Sequence, residues 1–355
     1  MKLLIQHTHR PDEIAGVVTY IDAIVPGLNA CGVETQVLST QTKPITSWIS
    51  EILWADVVHM NSNHLGFALL CKLFGKRIVI KYHYLFYIST HFHYEQMSFW
   101  QRLKLELIQT LPKSNYPLKW KLHTFVKWAR LATRLGTAIL SDRHAACSRF
   151  LAESHSFPWQ VTALNYPIES ASGQKILADL DQPYTFTYVG RLSSDKGVDL
   201  LLRAAKLIEA ENFKVKIIGS GQELERLTGL VEELQIQERV EFLGRRSGTE
   251  VLEIVRSSLA LVVPSRWQEP AGYVSLEASS VRTCSIVAKV GGLPEMAGAS
   301  NLFFDREDYK TLARQMKACL DDPNRALERG EFAHQYICEQ FNSEKAVREL
   351  LELCN

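Results

Sequence analysis

The stretch Leu259-Ala-Leu-Val-Val-Pro-Ser-Arg-Trp-Gln-Glu-Pro-Ala-Gly-Tyr-Val-Ser-Leu-Glu-Ala278 decides how the second half of this chain folds. Its first five residues form an unbroken apolar run that ends at a proline, which is typical of a buried parallel strand. A helix is predicted from Gly272, so Glu269 lies in a strand-to-helix loop and Glu277 lies about two turns into the helix. The N-terminus of a helix offers unpaired N–H groups to a phosphate. Two glutamates at this spacing are, by themselves, equally typical of surface residues.

Length, charge and cysteine content limit the classes of protein that this chain can be. A chain of 355 residues is long enough for two domains. Its net charge of +1 gives no global electrostatic argument for nucleic-acid binding. The seven cysteines are scattered and form no CxxC pair, which favours reduced thiols in a cytoplasmic protein. The opening segment 1–7 is too short for a signal peptide, and no apolar run approaches the ~20 residues of a membrane span.

The first half of the chain alternates predicted strands and helices. This rhythm predicts a parallel sheet with helices on both faces. The predicted strands are Lys2–Gln6, Val33–Leu38, Val57–His59, Arg77–Tyr82, Ala138–Leu140 and Ala145–Cys147, and the first helix is Val17–Cys31, opened by Gly16.

A basic and aromatic insert, from about residue 88 to 135, interrupts this alternation. Between Phe99 and Leu135 eight lysines and arginines face a single acid, Glu106, and apolar residues recur at helical spacing. This pattern suits a helix lying on an anionic membrane surface or binding an anionic acceptor. It equally suits an amphipathic helix packed on its own domain with a solvated basic face. Nucleic acid is not expected, because no binding motif accompanies the charge.

The histidines near the insert raise the question of a metal. His91 and His93, with Glu95, offer ligand types, but positions i and i+2 do not share a helix face, so we expect no metal site. His83 differs because it directly follows a predicted strand. Sheets of this kind present ligand-binding residues beyond the carboxyl ends of their strands.

The second half repeats the alternation after a polar segment, Ser170–Pro183, that we interpret as a linker. Strands are predicted at Thr185–Val189, Lys214–Ile218, Val240–Leu243 and Ser285–Ala288 besides Leu259–Val263. Two such domains imply a cleft between them, and small ligands commonly bind in such clefts.

Loops that follow these strands carry candidate binding groups. Arg191 and Lys196, flanked by Gly190 and Gly197, are suited to clamp a diphosphate, although two solvated cations would look the same. Gly219, in Gly-Ser-Gly, would let the backbone approach a ligand closely. Neither GxGxxG nor a P-loop pattern is present, so the usual dinucleotide and NTPase fingerprints are absent.

Three of these motifs occur in the order found in one family. Val189-Gly190-Arg191-Leu192 with Lys196-Gly197, the pair Glu269 and Glu277, and Gly291-Gly292-Leu293-Pro294-Glu295 resemble the retaining glycosyltransferases of family 4. The resemblance implies the GT-B fold, an α/β architecture of two Rossmann-like domains facing across a cleft. It places an acceptor-binding domain at residues 1–170, a nucleotide-sugar-binding domain at 171–335 and a helix that crosses back to the first domain at 336–355.

The resemblance also implies roles for individual residues. Arg191 and Lys196 match the diphosphate-binding pair, which would stabilise the leaving group without a metal or any other cofactor. Glu269 matches the acid beside the donor sugar, and His83 matches a histidine that faces this sugar. The implied donor-binding residues are Gly16, Gly190, Gly219, Arg245, Ala271, Gly272, Tyr273 and Glu277, of which Glu277 would hold the ribose hydroxyls.

The implied activity is transfer of a hexose from a UDP- or GDP-sugar to a glycan or lipid-linked acceptor, in surface polysaccharide or glycolipid synthesis. We expect a cytoplasmic protein, peripheral to the inner face of the membrane if the insert binds lipid. Two alternatives stay open. One is an epimerase or a phosphorylase on the same fold, the latter using inorganic phosphate with or without pyridoxal phosphate. The other is a protein that binds nucleotide sugars without turnover. The single glycine near position 16, Tyr84 after His83, and Ala271 in place of a frequent phenylalanine depart from the family pattern.

Overall fold

The structure, a computed structural model, describes residues 1–10, 16–87, 97–109, 111, 118–208 and 212–355, with only the backbone of 118–123. The chain divides into two compact units. The first contains Met1–Pro167 and Ser343–Asn355, and the second contains Ile168–Asn342. The sequence analysis put these boundaries at 170/171 and 335/336.

The first unit alternates strands and helices, as its hydrophobic pattern predicts. Its elements are β1 (Lys2–His7), α1 (Gly16–Ala30), β2 (Glu34–Ser39), α2 (Ile45–Trp54), β3 (Val57–Met60), α3 (Leu65–Leu73), β4 (Arg77–Tyr82), α4 (Phe99–Gln109), α5 (Leu118–Leu140), β5 (Arg143–Ala146), α6 (Arg149–Ser154) and β6 (Val161–Ala163).

The six strands form one parallel sheet in the order β2-β1-β3-β4-β5-β6. Strand β3 and most of β4 are buried, which is why consecutive apolar residues, Val57-Val58 and Ile78-Val79-Ile80, replace an alternating pattern there. The order reverses between β1 and β3. In doubly wound sheets, ligands bind at such a switch point, outside the carboxyl ends of the strands.

The second unit repeats this architecture. Its elements are β7 (Tyr184–Val189), α7 (Val198–Leu207), β8 (Phe213–Ile218), α8 (Leu224–Glu233), β9 (Val240–Gly244), α9 (Gly248–Ser257), β10 (Ala260–Val263), α10 (Tyr273–Ser280), β11 (Cys284–Ala288), α11 (Leu293–Ala297), β12 (Leu302–Phe304), α12 (Tyr309–Asp321) and α13 (Pro323–Gln340). Short 3₁₀ turns span Leu177–Asp179, Ser194–Lys196 and Gln237–Arg239.

The second sheet is also parallel, in the order β12-β11-β10-β7-β8-β9. The chain starts at β7, runs outward to β9 and returns to place β10 on the other side of β7. The switch point therefore lies between β7 and β10. The predicted fold class of two Rossmann-like α/β domains is confirmed.

The C-terminal helix α14 (Ser343–Cys354) belongs to the first unit, where it packs on α1. A side chain at Gly27 of α1 would meet Val347 and Ser343 of α14 at 2.8 and 2.9 Å. A glycine at this contact therefore lets the two helices approach closely.

Two predictions about local structure are wrong. Ala138–Leu140, expected as a strand, forms the last turn of α5, because a short apolar run at the end of a helical pattern resembles a strand. The segment Ser170–Pro183 is not a loose linker. Lys175 within it is buried, and its Nζ donates to the Ser258 carbonyl and the Thr283 hydroxyl, both at 2.7 Å.

The described part of the basic insert forms α4 and α5. Arg102 donates to the Ser154 carbonyl, and Arg134 donates to the carbonyls of Leu85 and Phe86 at 3.1 and 2.6 Å. Two of the eight basic residues therefore have internal roles. His91, His93 and Glu95 lie outside the described residues. Among the helices that the structure describes, none has the length and apolar character needed to cross a membrane.

Candidate active site

The loops after β7 and β10 meet at one edge of the second sheet. The two strands pair in parallel, with Ala260 opposite Phe186 and Leu261 opposite Thr187. Because neighbouring parallel strands end at the same edge, the segments 190–197 and 264–272 emerge side by side at the switch point. This topology brings the glycine-flanked cationic loop next to the loop that carries Glu269.

Lys196 and Glu269 form an ion pair between these two loops. Lys196 Nζ lies 2.5 Å from Glu269 Oε1, and the side chains are 19% and 12% exposed. Ser265 Oγ donates to the same carboxylate oxygen at 2.8 Å. A carboxylate held by two donors at the end of two strands is fixed in position, and its partner cation is available to an anion that binds beside it.

Backbone contacts lock the two loops together. The carbonyl of Asp195 accepts the N–H groups of Arg266 at 2.8 Å and Trp267 at 3.0 Å. Gly197 has φ +65°, and a Cβ there would overlap the carbonyl oxygen of Pro264. Only glycine combines this left-handed conformation with so close an approach of the other loop.

A second ion pair, which the sequence analysis missed, supports this arrangement. Arg266 donates two hydrogen bonds to the Asp199 carboxylate, at 2.6 and 2.9 Å, and one to Glu307 at 2.7 Å. Burial alone would raise the pKa of Asp199, but the hydrogen bonds from Arg266 bring this pKa below its ordinary value. The hydrogen bond to Asp199 in turn raises the pKa of Arg266. Because Asp199 is in the first turn of α7, this two-bond contact with Arg266 fixes α7 to the loop that carries Glu269.

The two predicted diphosphate-binding cations differ in their surroundings. Lys196 is paired with Glu269, whereas the Arg191 side chain is 73% exposed and lies 3.7 Å from Asp195 Oδ2, beyond hydrogen-bond distance. The backbone of Arg191 is fixed, because the buried Tyr188 hydroxyl donates to its carbonyl at 2.8 Å. The Arg191 guanidinium thus makes only a loose, exposed ion pair with Asp195, in contrast to the close pair of Lys196.

Three glycines end the neighbouring strands β7, β8 and β9. The Gly190 N–H donates to the Ile218 carbonyl at 3.0 Å, and the Gly219 N–H donates to the Gly244 carbonyl at 2.8 Å. A side chain at Gly219 would overlap the Gly190 carbonyl. The predicted residues Gly190 and Gly219 therefore lie together, with no side chain between their backbones. Arg245, which is also predicted, follows Gly244, and its side chain is exposed.

Helix α10 begins directly beyond Glu269. Ala271 is buried, Gly272 is the N-cap residue with φ +94°, and Tyr273 is the first helical residue. The Glu269 carbonyl accepts the Gly292 N–H at 2.8 Å, which fixes the entry to the helix. The first N–H groups of a helix lack intrahelical partners, so this end is suited to an anion.

Glu277 lies on α10 and is half-buried. Burial raises the pKa of this carboxyl to about 7. The same side chain is therefore divided between its neutral and charged forms near neutral pH. A hydroxyl-bearing ligand would favour the charged form, which accepts hydrogen bonds.

The remaining predicted site residues lie in the first unit. Gly16 is the exposed first residue of α1. His83 follows β4 directly, and its Nε2 is 3.0 Å from Asn61 Oδ1. Asn61 follows β3 and was missed, although the rule that singled out His83 applies equally to the residue after each neighbouring strand.

Within the described ranges, no three His, Cys, Asp or Glu side chains lie together as metal ligands would. Independence of metal stays a prediction.

Part of the second unit matches a known sequence family. Residues 173–336 match the family model for glycosyl transferases group 1. An uncharacterized glycosyltransferase of Methanocaldococcus jannaschii is 34% identical over 39% of this chain and 36% of its own length. A D-inositol 3-phosphate glycosyltransferase of Salinispora tropica is 33% identical over 49% of this chain and 39% of its own length. The chain thus spans well under half the length of these two relatives.

Solved structures extend the likeness to the fold of the whole chain. The crystal structure of Anabaena HepE in complex with UDP aligns with a TM-score of 0.72 over 99% of this chain and 98% of its own, at 14% identity. The same protein is known in complex with UDP-glucose. At this identity the likeness shows the fold alone. Residues 173–336 therefore carry the sequence pattern of the group 1 glycosyl transferases, on a chain that folds as two Rossmann-like domains.

Proposed function

We propose that the chain is a retaining glycosyltransferase of the family 4 type. It moves a hexose from a UDP- or GDP-sugar to a glycan or lipid-linked acceptor and needs no metal. The match of residues 173–336 to group 1 glycosyl transferases supports sugar transfer, and the names of the relatives agree with it. Because HepE binds UDP and UDP-glucose on the same fold, UDP-glucose is the first donor to test.

The observation that carries the proposal is the Lys196–Glu269 pair at the β7/β10 switch point. A cation there meets the diphosphate, while the acid lies beside the start of α10. Lys196, Arg191 and the positive end of α10 would stabilise the charge that develops on the departing nucleotide.

The reaction we infer proceeds on one face of the sugar. The bond between the anomeric carbon and the diphosphate oxygen breaks first, and its electron pair leaves with the nucleotide. The acceptor hydroxyl attacks the oxocarbenium-like carbon from the same face, and its proton passes to the departing phosphate. Glu269 would stabilise the positive charge on the sugar, and Glu277 would hold the ribose hydroxyls.

A donor screen tests the proposal directly. The unfolding temperature is measured with UDP-, GDP- and ADP-sugars, since a ligand that binds only the folded chain stabilises it. Transfer is then assayed with the stabilising donor, and the anomeric configuration of the product is read by NMR. An inverted product would refute retention. Binding without transfer or hydrolysis would favour a nucleotide-sugar-binding protein. Formation of a sugar phosphate, as inorganic phosphate attacks the anomeric carbon of a glycoside and displaces the rest of the glycan, would favour a phosphorylase.

We also propose that α4 and α5 bind an anionic membrane surface, so that the enzyme works at the inner face of the membrane on a lipid-linked acceptor. Their exposed apolar side chains include Trp100 and Phe125, at 57% and 64% exposure, and Lys104 and Arg130 on the same two helices are also exposed. Aromatic residues among cations are typical of helices that lie in a lipid headgroup layer.

Vesicle flotation tests this surface. We expect the chain to float with vesicles rich in phosphatidylglycerol, to float less at high salt, and not to float with neutral phosphatidylcholine. Phe125→Ala should weaken binding about tenfold, as expected from about 1.4 kcal/mol of apolar contact. The matched control is Phe332→Ala on α13, because Phe332 is also exposed, at 59%. Equal effects of the two variants would contradict a membrane role for α5.

A further inference from the structure

A cavity opens at the amino edge of the first sheet, where β5 and β6 begin. Arg143 is the first residue of β5, and Trp159 and Gln160 directly precede β6. The volume of about 660 Å³ lies within the range of about 300–1,000 Å³ that is usual for small-molecule sites. Every lining residue belongs to the first unit, and none is among the residues predicted to bind the donor. The cavity is thus a second candidate site, at the opposite edge of this sheet from His83.

Part of the cavity wall is apolar and fixed in position. The ring of Trp159 stacks on His144, with 4.8 Å between ring centroids and 19° between the planes. His144 is held in turn, because its Nδ1 is 2.9 Å from the buried Tyr82 hydroxyl. Burial lowers the pKa of His144 to about 4, so the ring is uncharged at neutral pH. Ile139 and Leu353 add aliphatic surface, and the wall therefore suits the C–H groups of a ligand.

An acceptor in the same cavity is available to a ligand. Asp142 Oδ2 accepts hydrogen bonds from Lys72 Nζ at 2.5 Å and from the Ile78 N–H at 2.7 Å. Asp142 Oδ1 has no such partner among the residues that the structure describes. Burial alone would raise the pKa of Asp142, but the hydrogen bonds from Lys72 and the Ile78 N–H bring this pKa below its ordinary value. The carboxylate is therefore charged at neutral pH and accepts hydrogen bonds through Oδ1.

Hydrogen-bond donors lie beside this acceptor. Arg143 and Gln160 are exposed, and in the described part of the chain neither they nor Thr162 make a side-chain hydrogen bond. The guanidinium only donates, the Asp142 carboxylate only accepts, and the amide and hydroxyl do both. Neighbouring sugar hydroxyls, which each donate and accept, match this set. An anion would instead meet the carboxylate of Asp142, and a cation would meet Arg143.

We propose that this cavity binds a segment of a neutral oligosaccharide, whose hydroxyls contact Asp142, Arg143 and Gln160 and whose C–H groups pack on Trp159. A pyranose ring combines a rim of hydroxyls with an apolar C–H surface, and the cavity offers a partner to each. The site goes beyond the proposed function, because it holds a sugar chain without a nucleotide sugar and without transfer.

A glycan array tests the site with the purified full-length chain and no nucleotide sugar. We expect neutral oligosaccharides to be bound, and the affinity for the best-bound one is then measured by titration calorimetry. Arg143→Ala should weaken binding about 10–100-fold, because a hydrogen bond to a charged group is lost, and Gln160→Ala should weaken it about 2–10-fold. The matched control is Arg306→Ala, because Arg306 is exposed in the second unit.

A second variant tests the preference for uncharged sugars. Asp142→Asn keeps an oxygen for the Ile78 N–H and removes the charge that repels anions. We expect oligosaccharides that contain glucuronate to bind this variant more tightly than they bind the wild-type chain. Urea titration checks that the variant is folded. An unchanged affinity for these acidic oligosaccharides in the folded variant would contradict the role of Asp142.

The outcomes separate this site from the proposed transfer. An array without a bound neutral oligosaccharide, or equal affinities of Arg143→Ala and the wild-type chain, would overturn the site. Glu269→Gln should bind the same oligosaccharides as the wild-type chain, because the cavity does not include Glu269. If oligosaccharides bind as expected but no donor is turned over, the proposed function fails and the site stands. Transfer without such binding has the opposite meaning.

Discussion

Replacing Glu269 by glutamine tests the centre of the candidate site with the least change in shape. The carboxylate accepts one hydrogen bond from the charged Lys196 and one from Ser265, and it is only 12% exposed, so solvent screens it little. A charged hydrogen bond contributes about 1.5–3 kcal/mol and a neutral one about 1 kcal/mol. Glutamine keeps one acceptor oxygen but leaves the Lys196 charge without its partner. We therefore expect the free energy of unfolding to fall by about 1–2 kcal/mol.

Transfer should suffer more than stability. Removing one electrostatic stabiliser of a transition state costs at least ~100-fold in rate, which corresponds to about 2.7 kcal/mol. The measurement is kcat/KM with the donor identified by thermal shift, at a temperature where urea titration shows both proteins folded. Glu253→Gln is the matched control, because Glu253 is exposed on α9. Near-normal turnover in Glu269→Gln, or an equal loss in Glu253→Gln, would refute the assignment.

Five further outcomes are expected. Between pH 4.5 and about 7, Glu277 in the folded chain keeps a proton that the unfolded chain releases, so the free energy of unfolding should fall as pH rises across this window. In urea titrations at several pH values, Glu277→Gln should lack this fall. Donor affinity in titration calorimetry should rise over the same range if charged Glu277 binds the ribose. Gly197→Ala should cost about 1–3 kcal/mol of unfolding free energy, because the left-handed backbone is strained and the Cβ meets Pro264. Arg266→Lys should cost about 1–2 kcal/mol in urea titration by losing the fork to Asp199. Saturating EDTA should leave transfer unchanged.

The sequence predicts the fold well because buried parallel strands appear as short apolar runs. Leu259–Val263 and Arg77–Tyr82 are both recognisable in this way, and β10 and β4 lie where they are expected. The same signal fails at Ala138–Leu140, where three apolar residues end a long helix. Over three residues, the apolar pattern of a buried strand cannot be told from that of a helix end. The helical pattern that starts at Leu118 makes Ala138–Leu140 helical.

The candidate site is predictable as a set of loops but not as a set of contacts. Glu269 and Lys196 are 73 residues apart, and neither one's surroundings indicate that they touch. The contact becomes a consequence of the sequence only once β7 and β10 are known to be neighbours, which the strand order decides. Arg266 was missed for the same reason, because its partner Asp199 lies on a helix that a distant loop approaches.

In the first unit, too, strand order explains which residues the sequence points to and which it leaves unnoticed. His83 was singled out because it follows a predicted strand, but the side chain that its ring contacts, Asn61, follows the neighbouring strand β3. In the sequence Asn61 is an ordinary polar residue after a short strand. Its amide meets His83 only because β3 lies next to β4 in the sheet. In a doubly wound sheet, the residue just past each strand next to the switch point therefore warrants the same attention as the most reactive one.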